Sequence, residues 1–472
     1  MTSKLILSTL SLILLFPPFL SAAPANTVIA TINTGVTPGG IAITHDGRYA
    51  YVANNNNYGL QNTNASGATV NSDSVTVIDL SNNTVLTTIY DTSFLQPYTV
   101  TINPAGTRAY VTNSAGSTVT IINIATNTVT GIISGFDGPS GMVITPDGNT
   151  GYVNNYGGPI LGSGNGFTVD VVNNLNSTPT LGATINVGLA PAALAITADG
   201  SKVYVIDYSY GVPDDGSISI INTSNNTAEL GVVTGLFGPF NITLTPDDKY
   251  AIVTNFGSNN FTPFGTSATK IDLSTNTIVD TFSLGIQPAG SAITPDGHYA
   301  LTTNYNTLYT VTMPYFNNLT AGQGTVNIID LLNNAVLPIT IDVGQSPNEI
   351  AITPNGAFAY VTNYTSNTVS VIALQTFQIS AQGCRTRNVY LRGTDYINRI
   401  TLSATGDALP VSYSVYRDED LIDLIGTIPA SQQAVFYDHN TNPNSTYTYY
   451  VIGTNAYGTT SAPIAVTVNQ NC

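Results

Sequence analysis

The chain has no tryptophan, two cysteines and three histidines in 472 residues, and only 8% of it is charged. An average soluble protein carries about 25% charged residues. Lys and Arg number 11 against 27 Asp and Glu, a formal charge of −16. A nucleic-acid interface is excluded on this balance, because phosphate neutralisation needs clustered cations. His45 and His298 sit at Asp-Gly turns and His439 lies near the far end. Three scattered imidazoles do not make a ring of metal ligands or a His-centred acid/base pair. Beyond the first 20 residues no apolar run approaches the 18 residues of a membrane span. Hydrophobic residues make up 42%, enough for a large core, and Asn, Thr, Ser and Gly supply the polarity. That mixture favours strands and turns over helices.

Lys4 precedes an apolar stretch, Leu5 to Leu20, that ends in small residues. Residues 1–25 are therefore expected to be a secretory signal peptide, cleaved after Ala22 or Ala25. Neither Cys384 nor Cys472 follows it, so no lipoprotein anchor is expected. The mature protein is expected to be exported, without a transmembrane segment, and placed outside the cell, at its surface or in the periplasm.

One unit recurs seven times. Its first residue is Pro38, Pro97, Pro139, Pro191, Pro239, Pro288 or Pro347. Thirteen residues later begins a Tyr-Val-x-Asn-like tetrad, at Tyr51, Tyr110, Tyr152, Tyr204, Ile252, Leu301 and Tyr360. The spacing never varies, while the interval between units ranges from 42 to 59 residues. Insertions therefore lie outside the unit, and a period of this size signals a repeat architecture. Each unit reads as two strands around an Asp-Gly-like turn, and two more strands follow before the next. Four antiparallel strands per repeat make a propeller blade. The seventh unit supplies only three strands, and Asn26–Ile32 reads like an unaccompanied fourth. The expected fold is all-β: a seven-bladed β-propeller over residues 26–374, closed by the N-terminal strand, plus a C-terminal β-sandwich.

Tyr110-Val111-Thr112-Asn113 and Tyr360-Val361-Thr362-Asn363, each after an Ile-Asn/Thr-Pro-x-Gly turn, resemble the YVTN family of seven-bladed propellers, common among microbial surface proteins. The resemblance implies the fold and leaves function open between surface antigens and nearby lactonase or electron-transfer propellers. The chain departs from the motif at Asp207, where Asn is replaced, and at Ile252 and Leu301, where Tyr is lost.

The long insertions follow the tetrads, between the second and third strands of blades one, three, four, five and six. Those connections share a face with the links between blades. Tyr58, Tyr156, Tyr208, Tyr210, Phe256, Phe264, Tyr305, Tyr309 and Tyr315 lie in or beside them, and Tyr98 follows Pro97. Tyr among Asn, Ser and Gly is a recognition chemistry. The same rings can instead pin the loops to the propeller. At the axis, the column two residues after the shared Pro reads Gly40, Thr99, Gly141, Ala193, Asn241, Gly290 and Glu349. Glu349 alone is ionisable, and one carboxylate is not a catalytic constellation. No cofactor is implied, except that Asp207, Asp214 and Asp215 can offer oxygen ligands to a Ca²⁺.

After Leu374 the repeat stops. Residues 375–383 read as a linker and 384–472 as a β-sandwich of short alternating strands. The run Tyr447–Pro463 resembles the last two strands of a fibronectin type III module, although the usual Trp is missing. Cys384 and Cys472 bracket this unit. Two cysteines of an exported protein normally pair, yet such modules place their ends at opposite poles and a disulfide needs Cα atoms within about 7 Å. Either residues 385–398 double back along the sandwich, or the bond is intermolecular, or the thiols are free. The functional expectation is an exported recognition or adhesion protein, not an enzyme, that binds a glycan or protein partner through the elaborated face. The alternative is a lactonase-like hydrolase acting at the channel mouth.

Overall fold

The computed structural model describes residues 26–472 apart from 57–61, 64–68, 71–72, 159–164, 210–215, 258–263, 310–318, 375–376, 391–392, 407–409, 418–420, 422, 431–433, 440, 443, 456–460, 462 and 469–472. Among the described residues every regular element is a strand, and no helix is long and apolar enough to cross a membrane. Seven antiparallel sheets of four strands each arise from the seven repeats. Blade one is typical, with strands Pro38–Ile43, Tyr49–Asn54, Ser74–Asp79 and Thr84–Ile89 in spatial order. Blade seven takes Pro347–Ile352, Phe358–Asn363 and Thr368–Ala373 from one end of the array and Thr27–Asn33 from the other. The register runs from Thr27 opposite Ala373 to Asn33 opposite Thr368. The ring is closed as the repeat pattern predicted, so the strand Thr368–Ala373 is not left as an unpaired edge.

The invariant spacing has a structural cause. In all seven blades the shared Pro, first residue of the innermost strand, lies opposite the last tetrad residue: Pro38 with Asn54, Pro97 with Asn113, Pro139 with Asn155, Pro191 with Asp207, Pro239 with Asn255, Pro288 with Asn304 and Pro347 with Asn363. The turn between these strands is locked by side chains. In blade four the Thr197 hydroxyl donates to Asp199 at 2.6 Å and accepts from the N–H of Lys202 at 3.1 Å. Gly200 then takes φ +70°, a conformation open to glycine at little cost. The Thr197 hydroxyl, with the Ser201 N–H and hydroxyl, holds the Asp199 carboxyl down to about 2. The turn aspartates are structural.

The tetrad tyrosines stitch one blade to the next. Tyr51, Tyr110, Tyr152, Tyr204 and Tyr360 are buried. Tyr152 donates its hydroxyl to Asn226 of blade four at 2.8 Å, and Tyr360 reaches Asn83 of blade one at 2.6 Å, across the closure. Burial pushes the Tyr51 and Tyr360 hydroxyls up to about 12, so both stay protonated donors. The tetrad Asn works within its own blade. Asn363 donates to Thr368 at 3.0 Å and Ser370 at 2.9 Å on the third strand, as Asn54 does to Ser74 and Thr76.

The C-terminal unit is a sandwich of a three-stranded sheet (Phe377–Tyr390, Gly393–Gly406, Ala434–Asp438) and a four-stranded sheet (Leu424–Pro429, Pro410–Tyr416, Tyr447–Asn455, Ile464–Val468). Ile400 and Leu402 of the first sheet pack against Tyr413, Val415, Tyr449 and Val451 of the second. The expected linker, 375–383, is corrected here: from Phe377 onward it is strand, paired residue by residue with the hairpin partner that ends at Gly406. Alternation too weak to separate strand from linker in the sequence is overridden by that pairing. Cys384 lies on this long strand opposite Arg399. Its neighbour Gly383 lies so close to the last strand that a Cβ there would stand 2.4 Å from Val468 Cγ2.

Candidate functional site at the axial mouth

The residue before each shared Pro has positive φ: Thr37 48°, Gln96 53°, Gly138 59°, Ala190 54°, Gly238 56°, Gln287 55° and Ser346 52°. Five of these seven are not glycine, and non-glycine residues seldom adopt this conformation. The left-handed turn aims each carbonyl at the first residue after the tetrad. Asn55, Ser114, Tyr156, Tyr208, Phe256, Tyr305 and Tyr364 donate their N–H groups to Thr37, Gln96, Gly138, Ala190, Gly238, Gln287 and Ser346 in turn. One backbone device thus seats seven side chains around the end of the axis where the insertions emerge.

Five of the seven are aromatic, in blades three to seven. Phe256 lies 5.8 Å from Tyr305, ring centre to ring centre, and Tyr305 lies 6.4 Å from Tyr364. Phe240, which follows Pro239, packs tilted against Phe256, ring centres 5.2 Å apart, and joins the cluster of Tyr156, Ala190 and Tyr208. Tyr208 donates its hydroxyl to the Gly257 carbonyl at 2.6 Å. The arc breaks at blades one and two, where Asn55 and Ser114 occupy the same position.

Inside the arc is a cavity of about 190 Å³, lined among others by Gly40, Tyr98, Thr99, Ser140, Phe240, Asn241, Asn348 and Glu349. Its central feature is a carboxylate that spans a blade. Glu349 of blade seven reaches past blade six to Asn241 of blade five, whose amide nitrogen lies 3.3 and 3.4 Å from the two carboxylate oxygens. Gly290 makes the crossing possible: a Cβ there would lie 2.5 Å from the Asn348 carbonyl oxygen and 2.8 Å from Glu349 Cα. The amide is oriented by Ser291, whose hydroxyl donates to Asn241 Oδ1 at 2.9 Å. The Glu349 N–H donates to the Thr362 hydroxyl at 3.0 Å. The side chain keeps some surface toward the cavity, yet the surrounding walls displace bulk water and push its carboxyl up to about 7. Such a group can take up or release a proton near neutrality, and it can accept hydrogen bonds or a positive charge.

The structure brings Tyr98 and Glu349 together at this cavity and places Tyr156, Tyr208, Phe256 and Tyr305 in the arc above it. Tyr156, Tyr208 and Phe256 are buried, with 9%, 3% and 6% of their surface exposed, so these three pack the mouth. Tyr98, Phe240, Tyr305 and Tyr364 are half-buried. Phe264 lies apart, opposite Gly257 at the base of the blade-five insertion. Tyr309 belongs to a small hairpin of the blade-six insertion, Thr307–Tyr309 with Leu319–Ala321. Tyr58, Tyr210 and Tyr315 lie outside the described residues. Sequence reasoning missed Tyr364, Phe240 and Asn348. The signal was there in two columns not compared: the residue after the tetrad and the residue after the shared Pro.

Asp207 is corrected as a metal ligand. It takes the tetrad Asn position and turns its carboxylate into the blade, accepting from the Ser219 hydroxyl at 2.6 Å and the Ser217 hydroxyl at 3.1 Å. Burial raises it to about 6 despite those bonds. Asp214 and Asp215 lie outside the described residues, as does Cys472.

The fold defines a seven-bladed β-propeller carrying a sandwich, and the comparisons agree on the propeller. A family model described as a lactonase, 7-bladed beta-propeller, matches residues 19–146. That span ends two residues beyond the third innermost strand, Pro139–Ile144. No curated protein matches the chain. Among solved structures, hydrazine synthase of Kuenenia stuttgartiensis is similar at 21% identity and TM-score 0.56, over 72% of this chain and 96% of that one. The propeller domain of Cps50 (Swd1) from Myceliophteria thermophila is similar at 10% identity and TM-score 0.52, over 74% of this chain and 100% of that one. These likenesses are of fold.

Proposed function

We propose that the protein is an exported recognition protein, of the YVTN surface type, that binds a glycan or protein partner at the axial mouth. The observation that carries this reading is the coincidence of three features at one end of the propeller. The Glu349–Asn241 cavity, the aromatic arc and the tetrad-following insertions all lie where the innermost strands begin. Loops converging on one face of a rigid repeat scaffold are the usual place for binding. The sandwich is read as a fibronectin type III-like spacer. In support, the Tyr447 hydroxyl accepts the N–H of Asn442 at 2.8 Å at the start of the penultimate strand, the corner bond of immunoglobulin-like sandwiches. A Cys384–Cys472 bond within the unit is part of the proposal. The approach of Gly383 to Val468, four residues before Cys472 in the sequence, supports it. Among the described residues no cysteine is a free thiol.

The test is a glycan-array and pull-down comparison of the mature chain with a form in which residues 57–72 and 310–318 are replaced by short Gly-Ser links. Binding should be lost while the ring stays folded. Binding that survives both replacements would place the site elsewhere.

A second reading is a lactonase-like hydrolase with Glu349 as general base. It is favoured by the family model's match and by a carboxyl poised near neutrality. It expects hydrolysis of a small ester or lactone that disappears in Glu349→Gln.

A further inference from the structure

The cavity is unusual in its charge. Among the described residues Glu349 receives only the two long contacts from Asn241, besides the local Ile350 N–H, although an ionised carboxylate accepts about four hydrogen bonds. A carboxylate enclosed in this way is costly unless a cation meets it. The propeller cannot provide one. Its basic residues are Arg48, Arg108, Lys202, Lys249 and Lys270. The first four stand at or beside the Asp-Gly turns, at the opposite end of the blades. Lys270 is committed to the Leu331 carbonyl and Asn334 on the blade flank. The five insertions contain no Lys or Arg, and they carry Asp73, Asp214 and Asp215. Glu349 gives the pocket a negative charge that no described Lys or Arg of the propeller offsets, and such a field gathers cations.

We propose that the axial pocket holds an amino sugar, with the protonated amino group on Glu349 and the ring against Tyr98 and Phe240. This rests on the recognition reading above and narrows it. Tyr98 and Phe240 give the cavity apolar ring faces, which attract a cation and suit the C–H face of a sugar. Thr99, Ser140, Asn241 and Asn348 offer neutral donors and acceptors for hydroxyls. A volume of about 190 Å³ falls short of the 300–1,000 Å³ of drug-sized pockets and suits a single ring.

The experiment is calorimetric titration of the mature chain at pH 7 with the glucosamine tetramer and, separately, the N-acetylglucosamine tetramer. The amine form is expected to bind at least tenfold more tightly, and Glu349→Gln, nearly isosteric and checked for folding by circular dichroism, should erase the preference. Asn241→Ala should weaken both oligomers. Between pH 5 and 7 affinity for the amine form should rise in the native chain and stay flat in Glu349→Gln. The groups around Glu349 from neighbouring strands are Gly40, Tyr98, Asn241, Gly290 and Thr362, and none of them is a carboxylate or an imidazole. Equal binding of both oligomers, or no effect of Glu349→Gln, overturns the amino-sugar assignment and leaves the recognition face standing. Binding of tetralysine in preference to either sugar overturns it in favour of a basic protein segment. Absence of binding to all three overturns it, and the loop-replacement experiment then judges the recognition reading separately.

Discussion

Lys270 lies directly opposite Ile252 on the neighbouring strand of blade five. Ile252 is where the tetrad Tyr is missing, and Lys270 makes the bonds that the Tyr would have made. Its ammonium group donates to the Leu331 carbonyl at 2.9 Å and to Asn334 at 2.8 Å, in the outer turn of blade six. Elsewhere the same kind of turn Asn accepts a tetrad Tyr hydroxyl, as Asn226 does from Tyr152. The pair is a compensated exchange. Leu301 needs no such substitute: the next blade is the closing one, whose outer two strands have no turn between them.

Lys270→Val should therefore destabilise the propeller by about 1–3 kcal/mol, the cost of leaving the buried Leu331 carbonyl without its donor. Ile252→Tyr combined with Lys270→Val should recover most of that loss. Urea denaturation of the two single variants and the double variant measures the coupling. Additive losses would show that the two positions do not share one function.

Asp207→Asn restores the tetrad and should stabilise the fold at neutral pH. A carboxyl whose folded value is raised to about 6 holds its proton more tightly in the folded state. Its stabilising contribution is complete below about pH 4, the unfolded value, and is lost as pH rises through about 6. The advantage of the variant should thus be absent near pH 4 and grow to roughly 1–3 kcal/mol by pH 7. Thermal denaturation across that range, compared with the native chain, reads the difference directly.

Removal of residues 26–33 should open the ring. The strand Thr368–Ala373 would lose its outer partner, and an apolar edge would be exposed. Loss of the single cooperative transition and formation of dimers by size-exclusion chromatography are the expected results. A synthetic peptide of residues 26–33 should restore the monomer.

If Cys384 and Cys472 pair within the sandwich, reduction should lower its stability by about 4 kcal/mol in the chain-entropy account, because the closed loop is long. A monomer on non-reducing gels, with a mobility change on reduction, is expected; a dimer band would assign the bond to two chains.

The blade count and the closure were legible because they rest on spacing. Thirteen residues from Pro97 to Tyr110 or from Pro347 to Tyr360 is a register, and register is covalent information. The axial site was only half legible. Glu349 stood out as an ionisable residue in a column of small ones, but its partner depends on Gly290, two blades' geometry and the Ser291 hydroxyl, which no spacing encodes. Asp207 misled for a related reason: acidic neighbours in sequence suggested a shared ligand, whereas strand alternation sends its side chain into the blade. The linker before Cys384 failed because strand pairing over a long hairpin needs no strong local pattern.

A ring of near-equivalent blades offers a molecule on its axis seven indistinguishable ways to sit. Gly290 and the two non-aromatic posts, Asn55 and Ser114, abolish that equivalence. Whatever enters meets an anionic side, a ring-lined side and a bare side, so it is held in one azimuth, and a mixture of rotated poses is not available to it.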